Sequence, residues 1–534
     1  MAILESTISQ LEQRSVGAGV HGAHNNAIRD IVRRSIAVTG AVHDQAAAHL
    51  LRPDGQEDLC FGLWNPSHGH ERQTALIQEI VLPQAYEREV HGNVSFAPEY
   101  FERVISEART SNRGVVLMHS HPAPGWQDMS ADDVRAEKGH AAAVFAATDL
   151  PLVGMTIGTD GTWSGRFWSK IAPRTFERNW CESVRVVGDK LEVSFCGSLL
   201  PPPHLGEELL RTVAAWGQKA QANLARLRVG VIGCGSVGSI IAESLARMGI
   251  IKLTLLDYDV IKIHNLDRTL HATRRDALKR RAKVRVLARG IRQSATAKEF
   301  EVELVNLSVV EEEGFRRALD CDVLFSCVDR PWPRFVLNFA AYAHLIPVVD
   351  GGIRLEAMAN DAGLKRATWR SQTVTADHRC LECLGQYDPS EVSLQRAGLL
   401  DEPSYIEGLD NNHHLRSSEN VFAFSLGAAS REVLQFLRMC VRHPGHGYVG
   451  AQTEHFVSGM VDTEVGECEP GCPFPAMVAK GDRSGFTTIT GDDVAARSMR
   501  RETGSGGLAR ILRLSVGGLL LTGRSALRLL TKRA

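Results

Sequence analysis

The pattern of apolar and polar positions changes several times along the chain of 534 residues, and the changes divide it into segments. Residues 1–35 hold no sustained apolar period and read as an irregular or helical lead-in. From 36 to about 175, short apolar runs alternate with helical stretches. Val115-Val116-Leu117-Met118 predicts a buried strand, and alanine-rich Ala131 to Thr148 predicts a helix. Val184 to Phe195 is two β-type runs around Gly188-Asp189, a hairpin signal. Pro201-Pro202-Pro203 then makes a stiff break suited to a linker. From 209 to 485 strand-like and helical runs alternate, the pattern of a parallel α/β sheet. From Gly504 to the end there is no acid; Arg510, Arg513, Arg524, Arg528, Lys532 and Arg533 interleave with Leu and Ile. The predicted fold class is α/β, in segments 1–35, 36–180, 181–208, 209–485 and 486–534.

Composition narrows the function classes. A formal net charge of -1 gives no global field for nucleic acid. No stretch of about 18 uncharged apolar residues predicts a membrane span. Met1 to Gln10 holds Glu5 and no apolar run, so no secretory leader is expected. Eleven cysteines, an odd number, then suit a reducing cytoplasm, where clustered thiols are metal ligands or catalysts.

The first chemical constellation follows the run Val115 to Met118. His119 and His121 sit two apart, so in a strand both imidazoles share a face. Asp133, three residues after Ser130 at the start of the next helix, is placed to be a third ligand. Two His and one carboxylate leave one tetrahedral position for water, as in catalytic zinc sites. Asp132 is a rival ligand, and Ser130-x-x-Asp133 is also a helix-capping sequence. His119-Ser120-His121-Pro122 with Ser130-x-x-Asp133 resembles the JAB/MPN metalloprotease family, over roughly residues 36–175. The resemblance implies an α+β domain that cleaves peptide or isopeptide bonds after ubiquitin-like tails. It implies zinc on His119, His121 and Asp133, Ser130 at the oxyanion, and Glu57 as general base, with Asp58 the runner-up. One departure is the eight residues between His121 and Ser130, where the family usually has seven; the loop Ala123-Pro124-Gly125-Trp126 has room to absorb the extra one.

The second constellation begins at the apolar run Arg228 to Ile232. Gly233-x-Gly235-x-x-Gly238 follows, and glycines there let a backbone approach phosphates at a helix N-terminus. The next strand, Lys252 to Leu256, ends at Asp257-Tyr258-Asp259, where an acid suits a ribose hydroxyl. These features alone fit any dinucleotide fold, NAD enzymes included. Asn265-Leu266-Asp267-Arg268, Lys283-Val284 and Asp329 then follow in order. The series resembles the ThiF/MoeB-type adenylyltransferases and ubiquitin-activating adenylation domains, over about 209–480. That resemblance implies a Rossmann-like doubly wound domain that binds ATP. Asp257 would hold the ribose with Asp259 beside it, Asn265 would assist at the phosphates, Arg268 and Lys283 would neutralise leaving pyrophosphate, and Asp329 would hold Mg2+. Arg211, six residues before Gly217, resembles the family arginine that reaches the partner subunit's ATP, which implies a homodimer; a surface arginine on a helix is the alternative.

Cys380-x-x-Cys383 and Cys468-x-x-x-Cys472 suit a closed structural zinc site, while a thioester nucleophile is the rival role for one of them. The basic tail after Gly506 suits an anionic membrane surface, a partner, or packing on its own protein. Together the resemblances imply a bacterial-type fusion. It would adenylate the terminal glycine of a ubiquitin-like or sulfur-carrier protein and trim or remove that carrier, with a conjugating enzyme as a further partner. The alternatives are a sulfur-transfer adenylyltransferase for cofactor or cysteine synthesis and a non-catalytic scaffold of both folds.

Overall fold

A computed structural model of the chain describes residues 33–504 apart from 92–93, 359–362, 403–406, 408–418, 442–447 and 486–488. The expectations for lead-in residues 1–32 and for the basic tail from 505 lie outside the described residues. Among the described residues no helix is long and apolar enough to cross a membrane.

The first half opens with β1 (Arg33–Thr39), β2 (Leu59–His68) and β3 (Arg72–Val81). A separate two-stranded ribbon follows, β4 (Arg88–Val90) and β5 (Val94–Phe96). Then come β6 (Gly114–Ser120), β7 (Leu152–Ile157), β8 (Trp163–Ala172), β9 (Thr175–Trp180), β10 (Ser183–Val187) and β11 (Leu191–Phe195). All but the ribbon form one nine-stranded mixed sheet, ordered β11-β10-β1-β3-β2-β6-β7-β8-β9. Helices Pro98–Thr110 and Ala131–Thr148 pack on it through Tyr100, Val104, Val144 and neighbouring apolar residues. The hairpin at Gly188-Asp189 forms as β10–β11, and it belongs to this sheet: β10 runs parallel to β1.

The second half contributes β12 (Arg228–Ile232), β13 (Lys252–Leu256), β14 (Glu301–Val305), β15 (Val323–Ser326) and β16 (Val348–Ala357). It continues with β17 (Leu364–Val374), β18 (Ala451–His455) and β19 (Met460–Glu464). The sheet order is β14-β13-β12-β15-β16-β17-β18-β19. Its first five strands are parallel and reverse order beside β12, a doubly wound arrangement with a switch point between β12 and β15. The expected parallel sheet stops there. β17, β18 and β19 add on antiparallel; β17 begins at Leu364, too soon after the end of β16 at Ala357 for the crossover of a dozen or more residues that a parallel return needs.

The two sheets share one core. Ala37, Leu76 and Val187 of the first pack in the same apolar cluster as Val231 and Phe325 of the second and Phe436 of helix Phe422–Cys440. Beside it lies a buried ionic joint. Asp322, at the start of β15, accepts from Arg72 of β3 at 2.5 Å and from Arg185 of β10 at 2.8 Å. Burial alone would raise its pKa, but Arg72, Arg185 and Arg228 hold it down at about 2. A depressed carboxylate adds stability that is complete above its unfolded pKa, near 4, and is lost as pH falls toward about 2. Asp322→Ala strands the buried guanidinium groups of Arg72 and Arg185, so the expected loss is about 3–5 kcal/mol at neutral pH. Urea unfolding followed by fluorescence and circular dichroism checks it, and a loss below about 1 kcal/mol would show that the joint contributes little.

Candidate functional site

At the end of β6 the strand alternation brings His119 and its near neighbour His121 together; their Nε2 atoms lie 3.1 Å apart. Helix Ala131–Thr148 supplies the carboxylate. Asp133 Oδ1 is 3.6 Å from His119 Nε2, and Oδ2 is 3.3 Å from His121 Nε2. All three ligand-type atoms lie within 4.8 Å of one another. Burial pushes the His119 pKa down to about 3, with Arg166 adding to it, so the imidazole is neutral as a metal donor must be. Asp133 would be raised by burial, yet hydrogen bonding from His121 and the nearby His119 hold it well below the carboxylate range. The donor set and its geometry fit a zinc ion.

Asp133 is brought there by a capping box. Its backbone N–H donates to Ser130 Oγ at 3.1 Å, and Ser130 N–H donates to Asp133 Oδ2 at 2.8 Å. Capping and ligation are therefore compatible, since Ser130 accepts through Oγ and keeps its hydroxyl proton to donate. Asp132 instead pairs with Arg135 in solvent. Glu57 is partly buried; that burial raises its pKa, with His121 opposing and Asp133 reinforcing the shift. Asp58 is wholly engaged: it is 1 % exposed and pairs with Arg88 and Arg52. Sequence reading missed the support behind His119. Thr156 Oγ1 lies 3.3 Å from His119 Nε2 and accepts from Arg166 at 2.7 Å. Arg166 pairs with Glu137, which also accepts from Trp168 Nε1 at 2.6 Å. The available signal was periodicity: Glu137 precedes Ala141, Val144 and Thr148 on the buried face of its helix.

The second site lies at the carboxyl ends of β12, β13 and β15, around the switch point. A cavity of about 1380 Å³ opens there. Gly233 has φ 94°, and a Cβ on it would meet the Cys327 carbonyl oxygen at 2.4 Å. Gly238 is equally forced, with the Gly233 oxygen 1.9 Å from its ideal Cβ position. Gly235 is different: it begins helix Ser236–Arg247 and faces open space, where a ligand can reach the backbone. Asp257 accepts from Cys234 N and Asp259 N, both at 2.7 Å. Lys283 Nζ is 2.9 Å from Asp259 and 3.9 Å from Asp257. Burial works against its charge, but the two carboxylates raise its pKa and keep it cationic. Asn265 is buried and accepts from Lys262 N at 2.9 Å. Arg268 and exposed Asp329 line the cavity, as Gly233, Gly235, Asp257 and Lys283 do. The open glycine, the cations and the carboxylates fit a magnesium nucleotide. Arg211 is exposed on helix Leu210–Trp216 and is not among the residues lining the cavity.

Cys380, Cys383, Cys468 and Cys472 converge with their sulfurs within 4.8 Å of one another. Backbone N–H groups of Cys380, Cys383 and Glu469 donate to these sulfurs at 3.3–3.4 Å. A hydrogen bond from Cys380 lowers the Cys468 pKa, while Cys380 and Cys472 are pushed up beside it, as in thiols packed closely enough to share protons. The cluster fits a closed four-thiolate zinc site.

Residues 208–460 match the ThiF family, so that part of the chain is ThiF-like. The matched segment carries the glycine turn, Asp257, Lys283 and Asp329. Ubiquitin-like modifier-activating enzyme 5 of Drosophila melanogaster is 29% identical over 143 residues, 24% of this chain and 34% of that protein. The Xenopus laevis enzyme of that name is 31% identical over 122 residues, 21% of this chain and 30% of that one. The chain thus spans about a third of the length of the curated relatives it matches. Among solved structures, E. coli MccB with ATP is 16% identical with a TM-score of 0.38, covering 50% of this chain and 74% of that one. PaaA is 16% identical with a TM-score of 0.36, covering 48% of this chain and 82% of that one.

Proposed function

We propose that this chain is an ATP-dependent adenylyltransferase acting on the C-terminal glycine of a ubiquitin-like or sulfur-carrier protein. Within the same compact unit it carries a zinc peptidase site of the JAB/MPN type that trims or removes that carrier. The observation that carries the reading is Lys283 held between Asp257 and Asp259 beside the open Gly235, inside the ThiF-matching segment. A cavity of about 1380 Å³ exceeds the roughly 300–1,000 Å³ of an ordinary small-molecule site, which leaves room for an extended peptide end beside a nucleotide.

In this reading the carrier's carboxylate oxygen attacks the α-phosphorus of ATP. The bond between that phosphorus and the bridging oxygen breaks, and pyrophosphate leaves. Asp257 orients the ribose with Asp259 behind it. Arg268 and Lys283 offset the charge growing on the leaving group, with Asn265 beside them. Asp329 would hold Mg2+, which supplies the remaining charge neutralisation at the phosphates. Arg211 does not line its own cavity and is assigned to the ATP of a second copy, making the protein a homodimer.

At the other site His119, His121 and Asp133 would hold zinc, which supplies Lewis acidity to activate water and polarise the scissile carbonyl. Glu57 takes the proton of the attacking water; its raised pKa suits a base that must later return the proton to the leaving amine. Ser130 donates to the oxyanion. The four cysteines serve as a structural zinc site, and the reduced thiols suit a cytoplasmic protein.

Carrier-dependent ATP–pyrophosphate exchange tests the proposal. Purified protein is incubated with ATP, Mg2+ and carriers ending in diglycine, and label moves from pyrophosphate into ATP only where an acyl-adenylate forms. No exchange with any such carrier, from protein that binds ATP, would favour a scaffold. Exchange with a thiocarboxylate-forming carrier but no transfer to a conjugating enzyme would favour sulfur transfer.

A further inference from the structure

Helix Pro331–Ala343 leaves the nucleotide cavity two residues after Asp329 and carries a polar stripe at four-residue spacing: Arg334, Asn338 and Tyr342. Residues four apart share one helix face, so the stripe is continuous along the axis. Its first member binds the cavity walls. Arg334 Nη2 donates to the Val328 carbonyl at 3.0 Å, beside Asp329, and to the Gly351 carbonyl on β16 at 3.0 Å. Its Nη1 donates to the Gln386 carbonyl at 3.4 Å, three residues past Cys383. Buried Asp350 orients this guanidinium, accepting from Arg334 Nε at 3.2 Å and from Ser326 and Gln372 at 2.6 Å each.

The other two members bind the cysteine segment directly. Asn338 is buried; its Oδ1 accepts from Leu381 N at 3.0 Å and its Nδ2 donates to the Tyr387 hydroxyl at 3.1 Å. Tyr342 donates to the His378 carbonyl, and its hydroxyl lies 3.5 Å from Cys468 Sγ. One helix face therefore touches the loop of Asp329 at one end and the four-cysteine cluster at the other. A single buried hydrogen bond is worth about 1 kcal/mol, but a set on one rigid helix fixes position more than it adds stability.

We infer that Arg334 is a positioning residue for the magnesium carboxylate Asp329, and that the stripe Arg334–Asn338–Tyr342 makes the geometry of the nucleotide site depend on the four-cysteine cluster. This rests on the reading of Asp329 and the cavity given above. The guanidinium alone can hold three carbonyls from three walls at once; an ammonium in its place keeps the charge opposite Asp350 and loses the planar spread of donors.

The test is binding of N-methylanthraniloyl-ATP to the full chain as a function of Mg2+ concentration, for wild type, Arg334→Lys and Tyr342→Phe. Outer partners of a metal ligand typically contribute 10–100-fold to metal affinity. The Mg2+ concentration for half-maximal binding is expected to rise about 10-fold in R334K. A smaller rise in the same direction is expected in Y342F, which removes only the far contacts, with zinc content unchanged in both. A purely structural role would lower the melting temperature and leave the Mg2+ dependence where it is, and that result overturns the inference while the adenylation reading stands. Were R334K to misfold, Y342F alone decides in the same way. Wild type that shows no Mg2+-dependent binding would remove the adenylation reading and this inference together.

Discussion

Asp329→Ala is expected to lower carrier-dependent ATP–pyrophosphate exchange by at least about 100-fold, or about 2.7 kcal/mol of transition-state stabilisation. The reason is placement. β15 ends at Ser326, and the chain then crosses the switch point between β12 and β15, where ligands of doubly wound sheets bind. Asp329 lines the cavity there and is exposed, and Lys283, whose charge it favours, keeps Asp257 and Asp259 as partners when it is removed. Asp257 and Lys283 would be poorer probes. Lys283 is closely packed against two carboxylates, and removing it leaves those charges facing each other, which mixes lost stability with lost chemistry. With Asp329→Ala the melting temperature should stay near that of wild type while exchange falls, and excess Mg2+ should restore little. An exchange rate within about threefold of wild type would take the metal role from Asp329.

Much of this site was legible in the sequence because its demands are local. A glycine turn, a strand-end acid and a lysine opening a helix are set by a few neighbouring residues, and the bounds of β13 and of helix Ala131–Thr148 coincide with the runs that predict them. What was not legible depends on distant chain. Asp322 stands at the foot of a strand like many turn acids; only the docking of β3 and β10 makes it a buried joint. Arg334 and Asp350 are likewise unremarkable in order, and acquire a role only when β16 and the Gln386 segment fold around them. The antiparallel end of the second sheet was hidden because β17 carries little apolar signal: its buried positions hold Ser371, Gln372 and Thr373 as well as Ala367, Trp369 and Val374. Two segments read as separate domains also turn out to share an apolar cluster, which no single segment's periodicity reports.

His121→Ala is expected to abolish peptide-bond cleavage of carrier fusions, to remove about one zinc per chain, and to leave ATP–pyrophosphate exchange within about twofold of wild type. His121 is the most informative of the three ligands to remove. His119 is buried against Thr156 and the Arg166–Glu137 pair, so its loss opens a cavity as well. Asp133 caps its helix, and its loss would add roughly 1 kcal/mol of destabilisation unrelated to metal. His121 has its side chain about 13% exposed, facing Asp133 and His119. Without it two donors remain, too few for a closed set of three that leaves one position open. The exchange activity should persist because the buried joint between the sheets runs through Arg72, Arg185 and Asp322, none of which touches the histidines. Metal analysis on the same preparation separates the outcomes. Lost zinc with lost cleavage makes the cluster a catalytic metal centre. Retained zinc content with unchanged cleavage would reduce His119, His121 and Asp133 to a capped helix packed on a strand, and the chain to an adenylating enzyme with a structural first half.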